Sequence, residues 1–185
     1  VLGVNELILS GHGAGAELAA RYLSRYPERV QQVILHAPTP LVDDDQFFYN
    51  YVRTAAPIGP NPVFEPRLYL AAGLATYGPE AAEKIASQAE MSLLLEEAFN
   101  PGTLVCARDA GRLPDVEPGE FNYYVQIQTE FDAQTLPDPR SALEENLTPS
   151  LILASECDYV PWDVVEQYGG ALLNDRVFYV EGAGH

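Results

Sequence analysis

The chain has 185 residues, 47% hydrophobic and 20% charged, enough apolar material for a packed core in one domain or one domain with a sizeable insertion. No apolar run approaches the ~20 residues of a membrane helix, and 27 acids against 10 bases, a formal charge of -17, argue against nucleic acid or anionic lipid as a partner. Cys106 and Cys157 make no disulfide framework, no CxxC or HExxH spacing suggests a metal, and no basic-then-apolar leader opens the sequence, so no metal or cofactor and a reducing cytoplasm are expected.

Residues 6–10 (ELILS) form a short apolar run that predicts a strand covered on both faces. GHGAG, residues 11–15, follows at once. Leu18, Ala19, Tyr22, Leu23 and Tyr26 then recur at helical spacing, and Pro27 ends that helix. Residues 30–35 (VQQVIL) predict the next strand, closed by His36-Ala37-Pro38. Strand, crossover helix, strand implies parallel pairing. The middle, residues 41–147, shows little strand pattern. A helix is predicted over 79–99, where Ala82, Ile85, Ala86, Ala89, Leu93, Leu94 and Ala98 share one side. Proline- and glycine-rich connections break up the remainder. The first grammar then returns as a strand at 150–154 (SLILA), a helix at 163–173 and a strand at 177–180 (VFYV), followed by Gly182-Ala183-Gly184-His185. Residues 1–40 and 148–185 are therefore expected to form a parallel-sheet core, with 41–147 as a mostly helical insertion.

Gly11-His12-Gly13-Ala14-Gly15 lies between a strand and a helix, the setting of the G-x-S-x-G elbow that exposes a nucleophile on a strained turn. Its centre is Gly13, which tolerates the strain but offers no hydroxyl. Alone, the motif fits a glycine-rich phosphate-binding turn equally well. Asp158 and His185, however, each follow a predicted parallel strand at its carboxyl end, where open α/β sheets place their sites. The order of elbow, acid and histidine resembles that of the α/β-hydrolases.

Residues 7–38, LILSGHGAGAELAARYLSRYPERVQQVILHAP, resemble the nucleophile strand, elbow, helix and following strand of the α/β-hydrolases. The RYPERV stretch is similar to the proline iminopeptidase branch. PSLILASECDYVPW and RVFYVEGAGH extend the likeness, with the acid at Asp158 and the base at His185. The resemblance implies a parallel α/β-hydrolase fold, partial here from nucleophile strand to histidine, under a helical cap formed by the insertion. It implies hydrolysis of an amide or ester in a small molecule or short peptide, with Gly13 at the nucleophile position and the Ala14 N–H in the oxyanion hole. It further implies that cap carboxylates grip a substrate amine, for which Glu65, Glu96, Glu97 and Glu130 are candidates. His12 and His36 are candidate lining residues, whereas Cys157 is expected to pack.

Two departures from the family shape the functional reading. Glycine replaces serine, so Asp158 and His185 have no hydroxyl to activate. The strands that precede the nucleophile strand in the family are not in the sequence, so a preceding segment or another chain is expected to complete the sheet. Besides a hydrolase with a lost nucleophile, two alternatives stand: a cofactor-free lyase or cyclase using the His-Asp pair as base, and a binding protein without turnover.

Overall fold

A computed structural model describes residues 5–42, 66–91, 106 and 123–185. Among these, four parallel strands lie side by side in the order β1-β2-β3-β4: β1 Leu7–His12, β2 Val30–His36, β3 Ser150–Ser155 and β4 Asp175–Val180. Helix α1, Ala14–Arg25, crosses from β1 to β2. Pro66–Ala75, Pro79–Ile85 and Tyr123–Gln134 are α2, α3 and α4; the short α5, Arg140–Leu143, precedes β3, and α6, Trp162–Ala171, connects β3 to β4.

The apolar runs place these strands, and register decides which face each residue takes. Val33 and Leu35 on β2 and Ile152 and Ala154 on β3 are buried against Ala16, Ala20 and Leu23 of α1 and Val164, Val165 and Tyr168 of α6. Alternation puts the neighbouring positions on the other face. There His12 pairs with His36, His36 with Leu153, and Leu153 with Phe178. Ile8 and Phe178 are each 59% exposed, so among the described residues β1 is not covered on both faces as its apolar run predicts. Among the described residues, helices cover one face only, and β1 and β4 are the two edges.

The chain divides into two compact units. The sheet, α1, α5 and α6 belong to one, composed of Val1–Ala55, Gly102–Ala110 and Pro137–His185. Helices α2, α3 and α4 belong to the other, Ala56–Pro101 and Gly111–Leu136, with Leu68, Ala71, Ala75, Ala82, Met91 and Tyr124 at its centre. In this unit the Tyr124 hydroxyl donates to the Ala86 carbonyl at 2.6 Å.

The helix predicted over 79–99 is interrupted. Helix α3 ends at Ile85 because Ala86 is extended (φ -139, ψ 127). Ser87 then starts a new helical turn: Glu90 N–H donates to Ser87 Oγ at 3.4 Å, and Ser87 N–H donates to Glu90 Oε2 at 2.8 Å. This reciprocal S-x-x-E pairing is a capping box, and it outweighs the continuous apolar side. Residues 92–99 lie outside the described residues.

Candidate active site

The elbow is built by two glycines with different tasks. A Cβ on Gly11 would overlap the backbone of Gly15, so strand and helix reach their separation only with glycine at 11. Gly13 has φ 56 and ψ -125, a backbone region that side chains rarely adopt. Its N–H donates to the His36 carbonyl at 3.0 Å, and its own carbonyl accepts from Ala16 at 3.0 Å as α1 begins. A Cβ at Gly15 would meet nothing within 4 Å, so that motif glycine answers no steric demand here. Ala14 is the first residue of α1, where N–H groups have no acceptor inside the helix and favour a negative charge.

The loops after β3 and β4 are laced together. Glu156 N–H donates to the Val180 carbonyl at 3.1 Å, Cys157 N–H to the Ala183 carbonyl at 2.9 Å, and Gly182 N–H to Glu156 Oε2 at 2.6 Å. This lacing carries His185 to Asp158, with Nδ1 2.9 Å from Oδ1. Both groups are largely removed from solvent, with side chains 11% and 4% exposed. The same Oδ1 accepts from Val160 N–H at 2.9 Å, while Oδ2 is buried without a hydrogen-bond partner. Asp158 and Ser155 also line a cavity of about 350 Å³ bounded by Val160, Trp162, Val165 and Tyr179.

The three histidines gather at this end of the sheet. The His12 ring lies 4.5 Å from that of His36 and 4.3 Å from that of His185. Partial burial lowers the His12 pKa, the neighbouring His185 and His36 lower it further, and Asp158 opposes them. The parallel register explains the first contact, since both residues end their strands and pair directly.

Cys157 does not pack as a free thiol: it is disulfide-bonded to Cys106, 51 residues away. Two cysteines so far apart in sequence give no spacing signal; in the fold Cys106 belongs to the same unit as the sheet. Glu156 brings a carboxylate within 4.8 Å of both sulfurs, but the disulfide leaves neither as the thiolate a metal would need. Glu65, Glu96 and Glu97 lie outside the described residues, and Glu130 falls in α4, where its backbone alone is described.

Sequence pattern does not single out Tyr159. Its ring stacks on that of His185 at 4.2 Å, and its hydroxyl lies 3.0 Å from His185 Nε2. No motif marks this position. The available signal was its place beside Asp158, in a loop already expected to meet the histidine.

No family model and no curated protein matches the chain in sequence. Solved structures do match in fold. An alpha/beta hydrolase enzyme from a Medee basin deep-sea metagenome library aligns with TM-score 0.60 and 14% identity, over 100% of this chain and 60% of that one. A monoacylglycerol lipase from Paleococcus ferrophilus aligns with TM-score 0.57 and 18% identity, over 98% and 60%. An alpha/beta fold family hydrolase from Bacillus anthracis str. Sterne aligns with TM-score 0.58 and 16% identity, over 100% and 62%. The chain thus has part of the α/β-hydrolase fold and spans about 60% of the length of these structures.

Proposed function

We propose that the protein is a hydrolase of amide or ester bonds in small molecules or short peptides, allied to the proline iminopeptidase type, whose elbow lacks the serine and whose Asp158–His185 pair acts as general base. The observation that carries this reading is the 2.9 Å contact between Asp158 Oδ1 and His185 Nδ1, with both side chains largely buried. A carboxylate on Nδ1 orients the imidazole and stabilises the cation formed when Nε2 gains a proton. With Gly13 at the centre of the elbow, the attacking group is water, and the Ala14 N–H supports the oxyanion. The resemblance assigns the cap role to residues 41–147 and amine recognition to Glu65, Glu96, Glu97 and Glu130.

The same reading requires more sheet than the four strands supply. Edge strands β1 and β4, the exposed Ile8 and Phe178, and the share of the solved hydrolases spanned all support completion by a further segment of polypeptide or by another chain. No helix among the described residues is long and apolar enough to cross a membrane. The cytoplasm is the setting expected from the sequence; the Cys106–Cys157 bond weighs towards an oxidising one.

The test is hydrolysis of p-nitrophenyl acetate by the unaltered protein and by His185→Gln. A general base contributes roughly 10²–10⁴-fold, so the variant should lose on the order of 10²-fold in rate. Equal rates in two folded proteins would leave the binding reading in its place.

A further inference from the structure

Both ring nitrogens of His185 are engaged. Nδ1 is 2.9 Å from Asp158 Oδ1, and Nε2 is 3.0 Å from Tyr159 Oη. A carboxylate accepts and does not donate, so Nδ1 carries a proton, and in the neutral ring that acts as a base Nε2 holds the lone pair. The Tyr159 hydroxyl is then the donor to Nε2, and a hydroxyl that donates still has acceptor lone pairs. Stacking at 4.2 Å, with 29° between the planes, fixes the phenol and imidazole together. A proton destined for His185 must pass through Tyr159 Oη or displace it.

We propose that Tyr159 is a catalytic residue, supplying on His185 Nε2 the hydroxyl that Gly13 cannot, and relaying a proton from water to the histidine. The proposal rests on the general-base reading above and identifies the atom through which that base works. In the step, a water O–H bond breaks as its proton passes to Tyr159 Oη. The phenol O–H bond breaks as its own proton passes to His185 Nε2. The water oxygen bonds to the carbonyl carbon of the ester or amide, whose π electrons move onto the carbonyl oxygen. The imidazolium rests on Asp158, and the protons return along the same path to the leaving alcohol or amine as the tetrahedral adduct collapses.

The two protons move together, so no free tyrosinate forms along the path. Among the described residues, the groups facing the imidazole are Asp158 and Tyr159 from the loop after β3 and His12 at the end of β1, with His36 of β2 tilted against His12. The relay itself starts and ends without net charge on Tyr159.

The experiment follows p-nitrophenyl acetate hydrolysis by the full chain as the D2O fraction rises, for the unaltered protein, Tyr159→Phe and His185→Gln. The relay requires a downward-bowed plot for the unaltered protein, because two protons are in flight. Tyr159→Phe should lose on the order of 10²-fold, its residual rate should vary linearly with D2O, and its downfield His185 Nδ1–H resonance should persist. Three results overturn the relay alone: an undiminished or faster Tyr159→Phe, a linear plot for the unaltered protein, or loss of the Nδ1–H resonance in Tyr159→Phe, which would make the tyrosine structural. Equal rates for the unaltered protein and His185→Gln would remove the general-base reading along with it.

Discussion

Gly11 and Gly15 approach so closely that any Cβ on Gly11 would overlap the Gly15 carbonyl. The clash is with backbone at the start of α1, where no side chain can swing aside. Gly11→Ala should therefore reach or exceed the ~3 kcal/mol upper end of ordinary overpacking, read as a lower urea midpoint. Gly15→Ala, which meets open space, should stay near the midpoint of the unaltered protein, and an equal loss at both positions would contradict this account of the elbow.

The Cys106–Cys157 bond closes a large loop onto the segment that carries Asp158. Replacing both cysteines by serine should lower stability by about 2–4 kcal/mol. Because Cys157 N–H also holds the Ala183 carbonyl, the His185 resonances should broaden or shift in the variant. An unchanged melting temperature with unchanged His185 signals would show that the disulfide supports neither the unit nor the pair.

In the helical unit, hydrogen bonds from Arg67 and then Ser87 lower the Glu90 pKa from 4.5 to about 2. A depressed carboxyl pKa gives stability that is complete above the unfolded value and fades as pH falls through the folded one. The Glu90 contribution should therefore decline between about 4.5 and about 2, and Glu90→Gln should flatten that part of the acid melting curve. A carboxyl titration of Glu90 centred near 4.5 would remove the basis of this prediction.

All four strands were legible as apolar runs, and the position of the candidate site followed from where those strands end. The structural boundaries run slightly further: β1 continues through Gly11 to His12, and β4 begins at Asp175. Periodicity could not reveal the break after Ile85, because Ala82, Ile85, Ala86 and Ala89 keep one apolar side while the Ser87–Glu90 box restarts the helix. The Asp158–His185 approach was legible because each residue follows a parallel strand. The Cys106 pairing and the turn of Tyr159 onto His185 depend on how loops fold back, and no spacing in the sequence encodes either contact. The His12–His36 ring contact was half legible, since both strand ends were known but their register was not.

If Asp158 and His185 form a working base beside an elbow that lacks a hydroxyl, a hydroxyl restored at residue 13 is activated, and Gly13→Ser is the most direct test. A Cβ at Gly13 meets nothing within 4 Å, although φ 56 makes any side chain there strained, at a cost of roughly 1–3 kcal/mol. The measurement is labelling of this variant by a fluorophosphonate probe, with His185→Gln in the same background as control. Labelling should be confined to residue 13, abolished by the control and absent from the unaltered protein. A folded Gly13→Ser protein that takes up no label, or labels equally without His185, would contradict it.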